Sequence, residues 1–136
     1  MYQKIIVPTD GSEIAMKGVK EGLNLAKALD KPATAIYVLE VGDIKMSENV
    51  KDTLKRGAEK ALQEVEEIAD ELGVELEKKI FKGAPYEKIT EYAGDDDIIY
   101  ISSHGSSGFR ELFMGSTTDR VVKRANCTVS IVKGGY

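Results

Sequence analysis

Ile98-Ile99-Tyr100-Ile101-Ser102-Ser103-His104-Gly105-Ser106-Ser107-Gly108, running on to Gly115-Ser116-Thr117-Thr118, is the stretch whose reading decides the fold. Its first four residues are short, apolar and largely β-branched, the pattern of a buried strand. Beyond the small residues, Asp119-Arg120-Val121-Val122-Lys123-Arg124-Ala125 reads as a helix. Glycines between a strand and a helix let the backbone approach a ligand and aim several N–H groups one way. The helix N-terminus adds partial positive charge and unpaired donors. Such a connection suits an anion, most often phosphate. It also suits an ordinary loop, because glycine and serine are turn residues. It is not a Walker A loop, since no Gly-Lys-Ser/Thr ends it, and the G-x-G-x-x-G spacing is absent.

Upstream, Lys4-Ile5-Ile6-Val7 is a first strand buried on both faces, stopped by the turn residues Pro8-Thr9-Asp10-Gly11-Ser12. Ser12 is placed to cap a helix over residues 13–29, with Ala15, Val19, Gly22, Leu23 and Ala26 on one face. Asp30-Lys31-Pro32 ends it, and Ala33-Thr34-Ala35-Ile36-Tyr37-Val38-Leu39 is a second strand. After a loop over residues 40–46, Ser47 caps a long helix reaching Leu72 and Gly73. Its series Val50, Leu54, Ala58, Ala61, Val65, Ile68, Leu72 predicts one continuous apolar face against a sheet, opposite a charged, solvated one. Residues 74–82 alternate apolar with charged side chains, which suits an edge strand. Pro85 opens a short helix over 86–92. Thr128-Val129-Ser130-Ile131-Val132 is a fifth strand, and the tail Lys133-Gly134-Gly135-Tyr136 is expected to be loose.

Strands alternating with helices predict an α/β fold: one open parallel five-stranded sheet, doubly wound, with helices on both faces. The charged third strand belongs at one edge and the short terminal fifth at the other, giving the order 3-2-1-4-5. The winding then reverses between strands one and four, and ligands of such sheets bind outside the carboxyl ends at that reversal. The two most turn-rich stretches, residues 8–12 and 102–108, meet there. The 136 residues suit a single domain, 1–136, with a real core. A hydrophobic fraction of 42% with 31% charged residues excludes disorder as the expectation. The net charge of -4 argues against nucleic-acid binding, which needs a basic face. No apolar run is long enough to span a membrane, and no signal peptide is seen, so a cytoplasmic location is expected. The single cysteine, Cys127, allows no internal disulfide or Cys-based zinc site and reads as a small buried hydrophobe.

With these residues in view, the chain resembles the universal stress protein (UspA) superfamily over nearly its whole length. The nucleotide-binding branch carries G-x2-G-x9-G-(S/T) after strand four. Gly105, nine residues, Gly115 and Ser116 match its second half, whereas its first glycine falls at Ser102. If that position requires positive φ, Ser102 is strained by about 1–2 kcal/mol. If it only requires closeness to the ligand, the serine crowds the pocket while its hydroxyl can still reach a phosphate.

The resemblance implies an ATP- or AMP-binding stress-response or signalling protein, with magnesium accompanying ATP. Pro8, Thr9 and Asp10 are implied on the adenosine side, Asp10 near ribose or the divalent metal. Val38 is implied at adenine through its backbone. Ser103, His104, Gly105, Ser106, Ser107 and Gly108 are implied around ribose and phosphates. Gly115, Ser116, Thr117 and Thr118 are implied as backbone and hydroxyl donors to the phosphates. The family also implies a homodimer through strand five, Thr128–Val132, whose edge suits pairing.

Asp10 beside Gly11-Ser12 can equally form an Asx turn. His104 is the only histidine, which makes a transition-metal site unexpected. No spacing declares a catalytic triad, so an enzyme is not expected beyond slow incidental ATP hydrolysis. Phe109, Leu112, Phe113 and Met114 are expected to pack a turn or a partner chain. The competing expectation, motivated by Ser102, is a family member acting only through protein–protein contacts.

Overall fold

In the computed structural model, which describes residues 1–41, 45–104 and 114–133, the strand runs and helical repeats alternate as the hydrophobic pattern requires. The elements are β1 (Ile5–Pro8), α1 (Glu13–Leu29), β2 (Ala33–Leu39), α2 (Glu48–Leu72), β3 (Leu76–Lys82), α3 (Pro85–Tyr92), β4 (Ile98–Ser102), α4 (Ser116–Arg124) and β5 (Thr128–Val132). The five strands form one all-parallel sheet in the order β3-β2-β1-β4-β5. This is the expected fold class. The expected loose tail falls partly on residues 134–136, outside the described residues.

Alternation along the strands builds two cores. Ile5, Val7, Ala33 and Ala35 face α1 and α2 and pack with Val19, Leu23, Leu62 and Val65. Ile6, Ile36, Ile99 and Ile101 face the other way and pack with Ile89 of α3 and Val121 of α4. Every one of these fourteen side chains is buried, which is why β1 reads as an unbroken apolar run. Helix α1 lies unusually close to the sheet. A Cβ at Gly22 would sit 2.5 Å from the Val7 side chain and 3.0 Å from that of Tyr100, so only glycine fits there.

Three expectations are corrected. The apolar face of α2 is not covered throughout: residues 48–57 are all exposed, Val50 and Leu54 included, and burial starts at Ala58. At about 1.5 Å per residue these ten residues make roughly 15 Å of helix that the described residues leave uncovered. Helix α4 begins at Ser116 rather than Asp119, so Ser116, Thr117 and Thr118 form its first turn. Cys127 is half-buried rather than core, and burial together with Asp97 raises its thiol pKa.

Candidate functional site

Strand β1 ends at the sheet's reversal point, and the ladder continues one residue further: the Thr9 N–H donates to the Ile36 carbonyl at 2.9 Å. The chain then turns through Gly11, whose φ of +86° lies in the left-handed region that favours glycine. Three side chains absorb the turn's free donors. The Gly11 N–H donates to Thr9 Oγ1 (3.0 Å), the Ser12 N–H to Asp10 Oδ1 (2.9 Å) and the Ala15 N–H to Ser12 Oγ (3.1 Å). The entry to α1 is therefore capped, and the Asx turn at Asp10 is real.

Strand β4 ends beside it in a different manner. The Ser103 N–H donates to the Val132 carbonyl of β5 (2.8 Å), and the Gly115 N–H donates to the Ser103 carbonyl (2.7 Å). The chain that leaves the sheet after Ser103 is thus back against it at Gly115, which begins α4. That helix has Gly115 as its N-cap and no side-chain cap hydrogen bond. The His104 ring is buried, with Nδ1 2.9 Å from Ser103 Oγ.

Ser102 ties both helices to the strand end. Its hydroxyl donates to the Ile14 carbonyl (2.6 Å) and accepts from the Gly18 N–H (3.1 Å), the two partners of one helical i→i+4 pair in α1. Its carbonyl accepts from Thr118 Oγ1 of α4 at 2.7 Å. Gly18 makes this contact: a Cβ there would lie 2.9 Å from Ser102 Oγ. Among the described residues the sole non-glycine with positive φ is Asp30, so Ser102 is not strained. Both sequence-based readings of Ser102 are corrected: the serine carries no left-handed strain, and its hydroxyl is engaged with α1 rather than offered to a phosphate.

Between these two ends lies a cavity of about 270 Å³. Of the expected positions, Pro8, Thr9, Asp10, Val38, Ser102, His104, Gly115, Ser116, Thr117 and Thr118 line it. Ser103 supports the wall through its bonds to Val132, Gly115 and His104. Gly105, Ser106, Ser107 and Gly108 lie outside the described residues, as do Phe109, Leu112 and Phe113. The Thr118 hydroxyl hydrogen is committed to Ser102, which leaves its backbone as the donor on offer.

The sequence reading missed Ala15, Ile36, Glu40, Pro85, Ile89 and Ile101, which also line the cavity. Period two along β2 was the available signal, since Ile36, Val38 and Glu40 share a strand face. The result is a cavity of two characters. Ile36 and Val38 of β2 with Pro85 and Ile89 of α3 make an apolar slot. The uncapped first turn of α4 makes a donor-rich end with the sign that attracts an anion. The Asp, Glu, Lys and Arg side chains among the described lining residues are two carboxylates, Asp10 and Glu40. They are felt nearby: burial, then Asp10, then Glu40 raise the Tyr37 phenol pKa. Among the described residues no group of three or more His, Cys, Asp and Glu is set to hold a metal ion, and none of the helices is long and apolar enough to cross a membrane.

The chain is similar to known proteins over nearly its whole length. The family model described as the Universal stress protein family matches residues 1–133. The chain is 33% identical over 141 residues to universal stress protein MJ0531 of Methanocaldococcus jannaschii, covering 98% of this chain and 83% of that protein. The solved structure of MJ0577 from the same organism is 30% identical, with 99% and 98% of the two chains covered and a TM-score of 0.84. Two more distant structures share the fold. One is a universal stress protein in complex with cAMP (23% identity, 98% and 99% coverage, TM-score 0.78). The other is the universal stress protein from Archaeoglobus fulgidus in complex with dAMP (20%, 97% and 98%, TM-score 0.71).

Proposed function

This chain belongs to the universal stress protein family, and we propose that it binds an adenine nucleotide, ATP or AMP, at the reversal point of its sheet. One observation carries the reading: the uncapped N-terminus of α4 opens on the same cavity as the apolar slot between β2 and α3. A nucleotide has both characters, a planar base that gains from burial and phosphates that need donors. The backbone N–H groups of Ser116, Thr117 and Thr118 serve the phosphates, with the Ser116 and Thr117 hydroxyls beside them, while the Gly115 N–H is already given to the Ser103 carbonyl. Val38 serves the base through its backbone, and Pro8, Thr9 and Asp10 serve the ribose side. The complexes of two distant relatives with cAMP and dAMP support the ligand class.

Magnesium belongs to this reading as a companion of ATP. It keeps several waters and takes phosphate oxygens with one or two carboxylates. Asp10 suits that part as the carboxylate of the β1 turn that borders the cavity. The protein acts by binding in a stress-response or signalling role, with at most slow incidental ATP hydrolysis. The Asp10 carboxylate is tied into the α1 turn, which suits positioning better than proton transfer. The rival reading, action through protein contacts alone, drew on Ser102, and its hydroxyl lies against α1 instead of filling the cavity.

A homodimer through β5 completes the proposal. That strand ends the sheet, its Ile131 side chain is exposed, and an open edge pairs readily with a second copy. No nucleic-acid or membrane partner is included, and the location proposed is the cytoplasm. The test is calorimetric titration of nucleotide-stripped protein with ATP, ADP and AMP, with and without magnesium. Saturable binding is expected. Absence of binding to all three contradicts the proposal, and turnover abolished by Asp10→Asn with binding intact contradicts the non-enzymatic part.

A further inference from the structure

Glu40 is the charged group of the cavity that neither the motif nor the capping of a helix accounts for. It stands one residue beyond the end of β2, on the strand face that carries Ile36 and Val38 into the slot. The other wall of the slot is Pro85 and Ile89 of α3. A ring seated between these apolar walls would have Glu40 near one edge, because Glu40 borders the same cavity two residues after Val38. The anion-attracting end, the first turn of α4, is contributed by the other side of the reversal point. A carboxylate at the phosphate end would repel the ligand. At the base end it can only accept hydrogen bonds, since an ionised carboxylate has no donor.

From this arrangement we infer that Glu40 is a specificity-determining residue that selects a base carrying an amino group. The inference rests on the nucleotide reading of the same cavity. An amino group directed at Glu40 donates to its carboxylate. A carbonyl oxygen in the same place sets acceptor against acceptor and is disfavoured. Adenine and guanine each present one exocyclic amino group, on different edges, while hypoxanthine has neither and keeps the purine shape. Glu40 is exposed, so solvent screens the contact and the discrimination is modest, about tenfold rather than the far larger ratios of a sealed site.

The experiment measures dissociation constants of AMP, GMP and IMP for the full chain, for Glu40→Val and for Glu40→Gln. Circular dichroism checks that each variant is folded. The expected result is IMP binding about tenfold more weakly than the better of AMP and GMP. Whichever of those two leads identifies the edge that is read. Glu40→Val should bind all three within about twofold of one another. Glu40→Gln, which can donate as well as accept, should recover IMP while keeping the amino-bearing nucleotide. Equal binding of the three by the unaltered protein overturns the inference while leaving the nucleotide reading intact. So does a preference that survives in Glu40→Val. Failure of all three nucleotides to bind any of the folded proteins overturns the nucleotide reading and this inference with it.

Discussion

Helices α1 and α4 follow neighbouring parallel strands and start on the same edge of the sheet, yet their first turns are opposites. At α1 every side chain of the turn is used inward: Thr9, Asp10 and Ser12 accept from Gly11, Ser12 and Ala15. At α4 the N-cap is glycine and no side chain caps the turn. A helix start leaves about four N–H groups without helical partners, and these two starts dispose of them differently. At α1 side chains take two of them, those of Ser12 and Ala15, whereas at α4 no side chain takes any and the turn faces a cavity where a ligand can complete it. Ser102 links the two, its hydroxyl bonded to α1 and its carbonyl to Thr118 of α4.

The comparison breaks most sharply at Ser116, an exposed residue of the open turn. Ser116→Asp puts a negative charge where the nucleotide phosphate would sit and where the helix favours negative charge. We expect nucleotide affinity to fall about a hundredfold while stability rises by about 0.5 kcal/mol. Titration calorimetry and thermal melts read the two opposite signs. Loss of affinity accompanied by lower stability would mean that the turn is not an open anion site.

Thr118→Val tests the link between the helices. It leaves the buried Ser102 carbonyl short of a donor, and should cost about 1–2 kcal/mol in denaturant unfolding. An unchanged midpoint would show that the Ser102 carbonyl finds another donor. Ser12→Ala removes the cap of the closed turn and should cost about 1 kcal/mol, or roughly 3–4 °C in Tm. Nucleotide affinity should stay within about twofold; a larger loss would mean that α1 also serves the ligand directly.

The smallest effect is a pH dependence at the α1 entry, where Tyr37 Cε2 lies 3.9 Å from the position of a Cβ on Gly11. The folded chain holds the Tyr37 proton more tightly than the unfolded chain, through burial and then the charges of Asp10 and Glu40. Its stabilising contribution is therefore fully present below the ordinary tyrosine pKa of about 10. It is lost as pH rises through the higher folded value. Tyr37→Phe should flatten that part of the stability curve, measured by urea unfolding between about pH 9 and 11. An unchanged slope would place the burden on another group.

The fold was legible because its signals are local. β-branched runs, helical spacing and glycine or proline stops marked the elements, and the charge on β3 marked its edge. The reversal point followed from strand order, and with it Pro8, Thr9, Asp10, Ser102 and His104 of the cavity lining, while Val38 and the roles of Gly115, Ser116, Thr117 and Thr118 came from the family resemblance. What remained hidden depends on packing across the chain. The direction of the Ser102 hydroxyl is set by Gly18, 84 residues away, whose missing side chain lets α1 come close enough to take it. The exposure of Val50 and Leu54 depends on what packs against that end of α2, which helical spacing cannot report. Ser116, Thr117 and Thr118 looked like loop because serine and threonine are poor in helix interiors, though they are at home in a first turn. Glu40 escaped because strand alternation carries on one residue past the last ladder pair.

The most direct test of the contrast between the two helix starts is an amide chemical-shift titration of the isotopically labelled chain with AMP. The account predicts the largest amide shifts at Ser116, Thr117 and Thr118, with Gly11, Ser12 and Ala15 moving far less because their N–H groups are already bonded. Large shifts at the α1 turn with the first turn of α4 unmoved would contradict it.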